Sequence, residues 1–370
     1  MRNDYNQMSI SPKEAIEQIK QYIAARGFTY TDELVENFYL SLKAKPFVIL
    51  AGTSGTGKTR LVRLFAEAIG AGYHLVPVRP DWSDGSDLFG HNDLSGTFHP
   101  GPVCEAFDDA IANPDKPVFL CLDEMNLARV EYYLSDFLSV IESREWNGKL
   151  VSTAKIAQYQ GGIPANLYVV GTVNMDEPTF PFSKKVLDRA NTIEFNHVDL
   201  VPDMTTAHAD TAALTLPNAF LATEYLTLAT DCAEEADFVE DACEELQQFN
   251  EILSKANAHV GYRVRDEICF YLLNNKAADL LPRDAAMDNE IMQKILPRIQ
   301  GSASSVKAML CELFKKCAPD YTNKTGDTDA EKMDKVLDEQ QAACTYPRSA
   351  EKIAMMVRRF EEDGFTSYWL

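Results

Sequence analysis

FVILAGTSGTGKTRLVRLFAEA, residues 47–68, holds three patterns in a row. Phe47–Leu50 is a continuous apolar run, the pattern of a parallel strand buried on both faces. Leu61, Leu64, Phe65 and Ala68 recur at i, i+3, i+4 and i+7, which marks one face of a helix. Between them Gly52-Thr53-Ser54-Gly55-Thr56-Gly57-Lys58-Thr59 fits GxxxxGK[ST] in the strand–loop–helix setting that motif requires. Its glycines let backbone N–H groups turn inward around phosphate oxygens, and the helix N-terminus adds partial positive charge. Lys58 is placed to reach the β- and γ-phosphates and the Thr59 hydroxyl to bind Mg²⁺. Arg60, the next residue, is counted with the loop as a nucleotide contact.

The same alternation spreads outward. Strand-like runs recur at Tyr73–Val78, Val118–Leu122, Leu167–Val170 and Ile193–Phe195, with a helical pattern at Leu134, Phe137, Leu138 and Ile141. Strands alternating with helices predict a parallel sheet covered on both faces. Before the sheet, Ser11-Pro12-Lys13-Glu14 is a capping box opening a helix through Ile16, Ile19 and Ile23. A second helix is expected from Thr31 to about Lys43. Residues 200–235 lack a clear period, and the patterns beyond are helical, at Leu246, Phe249 and Leu253 and at Ile353, Met356, Val357 and Phe360, with a loop at Pro319–Asp329.

Two further strand ends carry chemistry. Val118–Leu122 runs into Asp123 and Glu124, at the carboxyl edge where open α/β sheets bind ligands. Asp123 suits Mg²⁺ coordination through water, and Glu124 suits orienting and deprotonating an attacking water. Asn174 ends the next strand and can hold that water or the γ-phosphate, although a turn asparagine reads the same way. Arg189 precedes the last strand. It is either half of a surface ion pair or a guanidinium offered to a neighbouring subunit's γ-phosphate.

Composition narrows the classes. With 35 basic and 56 acidic residues the net charge is −21, which argues against a broad basic surface for DNA or anionic lipid and leaves room for a local basic pore. No apolar run reaches the roughly 18 residues of a membrane span. The N-terminus lacks a signal-peptide pattern, so a cytoplasmic protein is expected. Eight cysteines show no paired spacing, which reads as free thiols in a reducing compartment.

These residues resemble the AAA+ ATPases, specifically the McrB branch of nucleotide-driven restriction motors. The resemblance rests on GTSGTGKTRL from Gly52, LDEMNLARVEYYLSDFLSVIES from Leu122, GTVNMDEP from Gly171 and KKVLDRANTIEF from Lys184. VRPDWSDGSDLFGHNDLSGTFHPGP from Val78 is similar to a β-hairpin inserted in the second helix of this branch and of the MoxR and dynein-like ones. GYRVRDEICFYLL, LPRIQGS and YPRSAEKIAMMV extend the likeness more weakly.

The resemblance implies an AAA+ P-loop core with a five-stranded parallel sheet and a C-terminal all-α lid. The divisions expected are 1–44, a helical lead; 45–200, the nucleotide-binding core; 201–235, a linker or insertion; and 236–370, the lid. It further implies a hexameric ring hydrolysing ATP or GTP with Mg²⁺, in which Glu124, Lys58, Asn174 and Arg189 are catalytic, Asn174 senses the γ-phosphate and Arg189 is the finger in trans. Arg263 or Arg265 takes the second sensor position in the lid. Trp146 would fall in a hairpin before the Asn174 strand, whereas a lone tryptophan is more commonly a packing residue.

Two departures matter. The McrB signature Asn-Thr-Ala-Asp is here Asn174-Met175-Asp176-Glu177, which leaves ATP and GTP both open. Only about 45 residues precede the phosphate loop, too few for the DNA-reading module that McrB-type proteins often carry, so DNA recognition is expected from a partner chain or from a region outside these 370 residues, with DNA handled through the partner or a pore. The reading is a motor driving a McrC-like nuclease against foreign DNA. The alternatives are a MoxR-like chaperone that remodels protein partners, and a nucleotide-gated scaffold, against which the intact Glu124 argues.

Overall fold

The computed structural model describes residues 10–369 except 148, 157–158, 160, 178, 196–197, 199, 201–210, 320–327 and 341–343. Parts of the stretches read above as linker and loop, 201–210 and 320–327, therefore lie outside the described residues. The chain divides into two compact units, Met1–Leu226 and Thr227–Leu370.

The first unit opens with helix α1 (Pro12–Ala25). The Glu14 N–H donates to Ser11 Oγ and the Ser11 N–H to the Glu14 carboxylate, a reciprocal cap worth about 1 kcal/mol. Ile16, Ile19 and Ile23 are buried. Helix α2 (Asp32–Ala44) is capped by the Thr31 hydroxyl. Strand β1 (Phe47–Gly52) then leads through the glycine-rich loop to α3 (Lys58–Ala68) and β2 (Gly72–Pro77). After α4 (Gly85–Phe89), the hairpin expected from the resemblance forms from β3 (Gly90–Asn92) and β4 (Phe98–Pro100).

Next come α5 (Cys104–Ala112) and β5 (Val118–Asp123). The helix read through Leu134, Phe137, Leu138 and Ile141 is broken into α6 (Val130–Tyr133), α7 (Ser135–Val140) and a 3₁₀ turn, Ile141–Ser143. All four residues are nevertheless buried. A second hairpin, β6 (Arg144–Trp146) with β7 (Leu150–Ser152), carries Trp146, which stands 45% exposed. The packing role that a lone tryptophan suggests is not the one found. Strand β8 (Leu167–Asn174), α8 (Lys184–Leu187) and β9 (Asn191–Phe195) complete the α/β elements.

The sheet runs in the order β2–β5–β8–β1–β9, every neighbouring pair parallel. Strands β1 and β8 are buried along their whole length, as a sheet covered on both faces demands. Gly171 in β8 is required by packing, since a Cβ there would lie 1.9 Å from the Met125 sulfur. Phe38, Phe65, Phe119 and Tyr168 link α2, α3, β5 and β8 through ring centroids 5.1, 6.1 and 5.7 Å apart; such pairs add about 0.5–1.5 kcal/mol each beyond their burial.

The chain leaving β1 travels past β8 and β5 to β2, and the chain leaving β8 travels past β1 to β9. The carboxyl ends of β1 and β8 therefore flank a topological switch point, where α/β sheets bind ligands. Residues 211–226 run along this unit. Leu214 and Leu216 N–H groups donate to the Ala68 and Ile69 carbonyls, and Lys43 in α2 bonds the Ala222 carbonyl and pairs with Glu224.

The second unit is helical: α9 (Leu228–Asp231), α10 (Ala236–Ser254), α11 (Tyr262–Ala278), α12 (Arg283–Glu290), α13 (Ser304–Cys317), α14 (Asp329–Gln340) and α15 (Pro347–Asp363). A two-residue antiparallel pair, β10 (Gln300–Gly301) with β11 (Thr366–Ser367), is its only ladder among the described residues. Leu246, Phe249 and Leu253 of α10 and Ile353, Met356 and Val357 of α15 are buried, as their spacing predicts.

A buried polar cluster lies where α12 runs into a π-helical turn, Ile291–Ile295. Lys294 bonds Glu267, and the Gln293 amide donates to Glu290 Oε1 at 2.6 Å. Glu290 is fully buried and its Oε2 has no partner. Burial pushes its pKa up to about 8, against the smaller pull of Lys294 and the Gln293 bond and with the added push of Glu267. The folded chain thus holds a proton that the unfolded chain releases at its ordinary value of 4.5. Stability from this group is full below that value and is lost as pH rises through about 8. Glu290→Gln should match the native chain at pH 5 and exceed its thermal midpoint at pH 8.5 by several degrees, about 1–2 kcal/mol; thermal scans at both pH values check this. An equal difference at the two values would contradict it.

Candidate active site at the strand ends

The register of the sheet assembles the site. Gly52 pairs with Asn174 and with Phe195, and Leu122 with Gly171. Asp123 therefore ends beside Thr172, and the loop after β1 rises next to the end of β8. A Cβ on Gly52 would lie 2.4 Å from the Phe195 carbonyl oxygen, so only glycine fits. Gly57 has φ +89°, and a Cβ there would meet the Tyr30 hydroxyl at 2.8 Å. That hydroxyl donates to the Gly57 carbonyl at 2.8 Å.

Lys58 opens α3. Its Nζ donates to the carbonyls of Gly52 (3.0 Å) and Thr53 (2.6 Å) and reaches Thr56 Oγ1 at 3.4 Å. Burial lowers the Lys58 pKa from the ordinary lysine value, while Asp176, Asp123, Glu124 and Glu177 pull it back up. The ammonium thus sits in an acidic surround. Asp176 also holds the loop directly, accepting the Ser54 N–H at 2.9 and 3.1 Å on its two oxygens. Arg60 stands over the Phe28 ring, 5.0 Å from its centroid, and is exposed.

The carboxylates form a chain of contacts. Thr59 Oγ1 donates to Asp123 Oδ1 at 2.7 Å, and Thr172 Oγ1 to the same oxygen at 2.8 Å. The Thr172 hydroxyl in turn accepts the Glu124 N–H at 3.0 Å. The Asn174 amide donates to Glu124 Oε1 at 3.1 Å. Glu124 has φ 52° and ψ 49°, left-handed backbone that costs a non-glycine residue about 1–3 kcal/mol and clusters at functional sites. This turn redirects the chain out of β5 while its N–H stays anchored to β8.

Thr59 and Asp123 offer Mg²⁺ the hard oxygen donors it prefers, a hydroxyl and a carboxylate, to be completed by waters and phosphate oxygens. Among the described residues no group of three or more His, Cys, Asp or Glu could hold a metal by itself.

Arginine placement differs. Arg189 lies just before β9, at the amino edge of the sheet, away from the Lys58 edge of its own chain. Its Nη1 donates to the Lys185 carbonyl at 2.7 Å and its Nε lies 3.8 Å from Glu142. Glu142 also takes Lys45 at 2.9 Å. Arg263 and Arg265 occupy the first turn of α11 in the second unit. Arg265 bonds Asp266 at 2.8 and 2.5 Å and stands over the Tyr262 ring at 4.9 Å; Arg263 is half-buried.

Three residues at the site carry no earlier assignment: Thr172, Asp176 and Tyr30. Thr172 shares a face of β8 with Asn174 through the period of two, so the Thr-Val-Asn triplet signals it. Asp176 enters the sequence only as a departure from a signature. Tyr30 reaches the loop across chain distance and leaves no local pattern. Thr172→Val keeps shape and removes the hydroxyl that joins Asp123 to the Glu124 backbone. It is expected to lower kcat about tenfold and to change KM less than about threefold, measured by steady-state phosphate release.

Residues 47–190 match the AAA domain family of the dynein-related subfamily. Residues 212–365 match a domain family of unknown function, DUF8727. No curated relative matches the sequence. Among solved structures, that of a candidate ATPase from Cytophaga hutchinsonii ATCC 33406 is 18% identical, with 77% of this chain and 86% of that one covered and a TM-score of 0.48; the family match carries the assignment and this likeness does not. Over residues 47–190 the α/β unit of this chain is therefore similar to the AAA domains of the dynein-related subfamily.

Proposed function

We propose that the chain hydrolyses a nucleoside triphosphate, ATP or GTP, at the carboxyl ends of β1, β5 and β8. The observation that carries this is the unbroken link from Thr59 through Asp123, Thr172 and Glu124 to Asn174. Lys58 exchanges its bonds to the loop carbonyls for phosphate oxygens, and the loop N–H groups hold the remaining charge. Thr59 and Asp123 would hold Mg²⁺, which would neutralise triphosphate charge. Glu124 takes a proton from water as the water oxygen bonds the γ-phosphorus and the bond to the β–γ bridging oxygen breaks. Asn174 keeps that carboxylate aimed. Positioning and electrostatics are what phosphoryl transfer chiefly requires.

Beyond the hydrolysis, the reading is a ring-forming motor of the McrB kind, hexameric, in which Arg189 of one chain serves the γ-phosphate of its neighbour and Arg263 or Arg265 senses nucleotide from the helical unit. A McrC-like nuclease is the partner it would drive, with DNA handled by the partner or a pore, in restriction of foreign DNA. The stretch 122–143 supports this through its resemblance to that branch. The net charge of −21 fits DNA contact confined to a small part of the assembly. A MoxR-like role in remodelling protein partners is the second reading, allowed by the hairpin Gly90–Pro100, which the McrB and MoxR branches share. No helix among the described residues is long and apolar enough to cross a membrane.

The test is turnover of ATP against GTP by the purified chain, alone and with the product of the neighbouring gene, alongside sedimentation with and without nucleotide. Nucleotide-dependent assembly, and stimulation by a nuclease, would support the motor. Turnover stimulated instead by a metal-binding adhesion-type partner would favour the chaperone. Bound triphosphate without turnover in the assembled state would support the scaffold.

A further inference from the structure

Outside the nucleotide site, the helical unit holds a pair of thiols. Cys243 in the middle of α10 places its sulfur 3.7 Å from that of Cys269 in α11, and the two helices pack together. A disulfide bond is about 2.05 Å long, so closure asks the two sulfurs to approach by about 1.7 Å. Cys269 is buried and Cys243 half-buried, so Cys243 is the more accessible residue of the pair.

The surroundings favour a reactive sulfur at the more accessible position. The bond to Cys269 holds the Cys243 thiol down at about 7, with Arg265 assisting and burial, Asp266 and Glu240 opposing. Arg265 lies one helical turn before Cys269 on α11. The same bond, with burial, holds Cys269 well above the ordinary thiol value. Two other described cysteines, Cys311 and Cys344, are half-buried like Cys243. Burial pushes Cys311 up to about 11. These two serve as internal controls, since exposure alone does not set Cys243 apart. A low-pKa thiol with a neighbour poised behind it is the arrangement of a redox-responsive pair.

We infer that Cys243 and Cys269 are an oxidisable dithiol, a modification site for hydroperoxides that closes to a disulfide between α10 and α11. The Cys243 thiolate attacks one peroxide oxygen. The O–O bond breaks, an S–O bond forms, and hydroxide leaves and takes a proton. The Cys269 thiol then gives up its proton and attacks the Cys243 sulfur. The S–S bond forms as the S–O bond breaks, and the departing hydroxide becomes water. Two thiols and one peroxide yield one disulfide and two waters, the sulfurs oxidised and the peroxide reduced. The cross-link pins the helix whose first turn carries Arg263 and Arg265.

The experiment treats the full-length chain, folded and reduced, with stoichiometric hydrogen peroxide, blocks remaining thiols with N-ethylmaleimide and maps peptides by mass spectrometry. The expected result is a dithiothreitol-reversible cross-link between the Cys243 and Cys269 peptides, formed at least about tenfold faster than Cys311 is modified. In Cys269→Ala the cross-link is lost and Cys243 accumulates as a sulfenic acid captured by dimedone. Cys243 reacting no faster than Cys311 and Cys344, or pairing with a cysteine other than Cys269, would overturn the inference. The wild-type rates decide the matter even if the variant folds poorly, and the readout does not depend on nucleotide turnover.

Discussion

Glu124→Gln is expected to keep nucleotide binding and to lower turnover by about a hundred- to ten-thousandfold, the range set by a positioned general base. The substitution is close to isosteric, and its amide oxygen can still accept the Asn174 bond that now reaches Glu124 Oε1. What it removes is the capacity to take a proton from water. The left-handed backbone at Glu124 and its N–H bond to Thr172 belong to the main chain, so the loop should persist. Equilibrium binding of a labelled triphosphate and single-turnover phosphate release separate the two effects. Loss of binding together with turnover would assign Glu124 a structural role. Unchanged turnover would remove it from the chemistry.

The second large effect falls on binding. Lys58→Ala is expected to weaken triphosphate affinity about a hundredfold or more, since bonds to charged groups are worth about 1.5–3 kcal/mol each and Lys58 is placed for two phosphates. Asp176, Asp123, Glu124 and Glu177 act electrostatically on its ammonium. Removing that ammonium leaves a triphosphate facing acidic groups with less to offset them, which deepens the loss. The readout is thermal stabilisation by nucleotide with Mg²⁺, which scales with occupancy. The native chain should gain several degrees and the variant almost none. Equal shifts in both would place the phosphates elsewhere.

Much of this site is legible in the sequence for a physical reason. A buried strand, a glycine turn and a helix N-terminus are consecutive, so the phosphate loop is written in one local segment. Asp123 and Glu124 likewise close a single apolar run. What joins them is set by strand register, and register is not local. That the Thr172 hydroxyl bridges Asp123 and the Glu124 backbone follows only once β5 lies beside β8. The same holds for Asp176 on Ser54 and for Tyr30 on Gly57, contacts between segments far apart in the chain.

The differences have their own causes. Leu134, Phe137, Leu138 and Ile141 are all buried, as their spacing requires, yet the helix breaks at Leu134, where Leu134 forms the C-cap of one short helix and the N-cap of the next. Apolar periodicity reports which residues face the core and is blind to such a kink. Trp146 is exposed because a short hairpin with the Asn147 N–H bonded to the Lys149 carbonyl presents it outward, and a residue's size says nothing of that. Residues 211–226 show no period because, apart from a 3₁₀ turn at Asn218–Phe220, they form neither helix nor strand and are fastened by backbone bonds and by the Lys43–Glu224 pair.

The most direct measurement is phosphate release by the assembled chain in ¹⁸O-labelled water, with and without Mg²⁺. Hydrolysis by a Glu124-activated water predicts Mg²⁺-dependent inorganic phosphate carrying one solvent oxygen, nearly abolished in Glu124→Gln. A chain that binds triphosphate with Mg²⁺ yet releases no labelled phosphate, or a Glu124→Gln variant that releases it at the native rate, would contradict that reading of the β1, β5 and β8 strand ends.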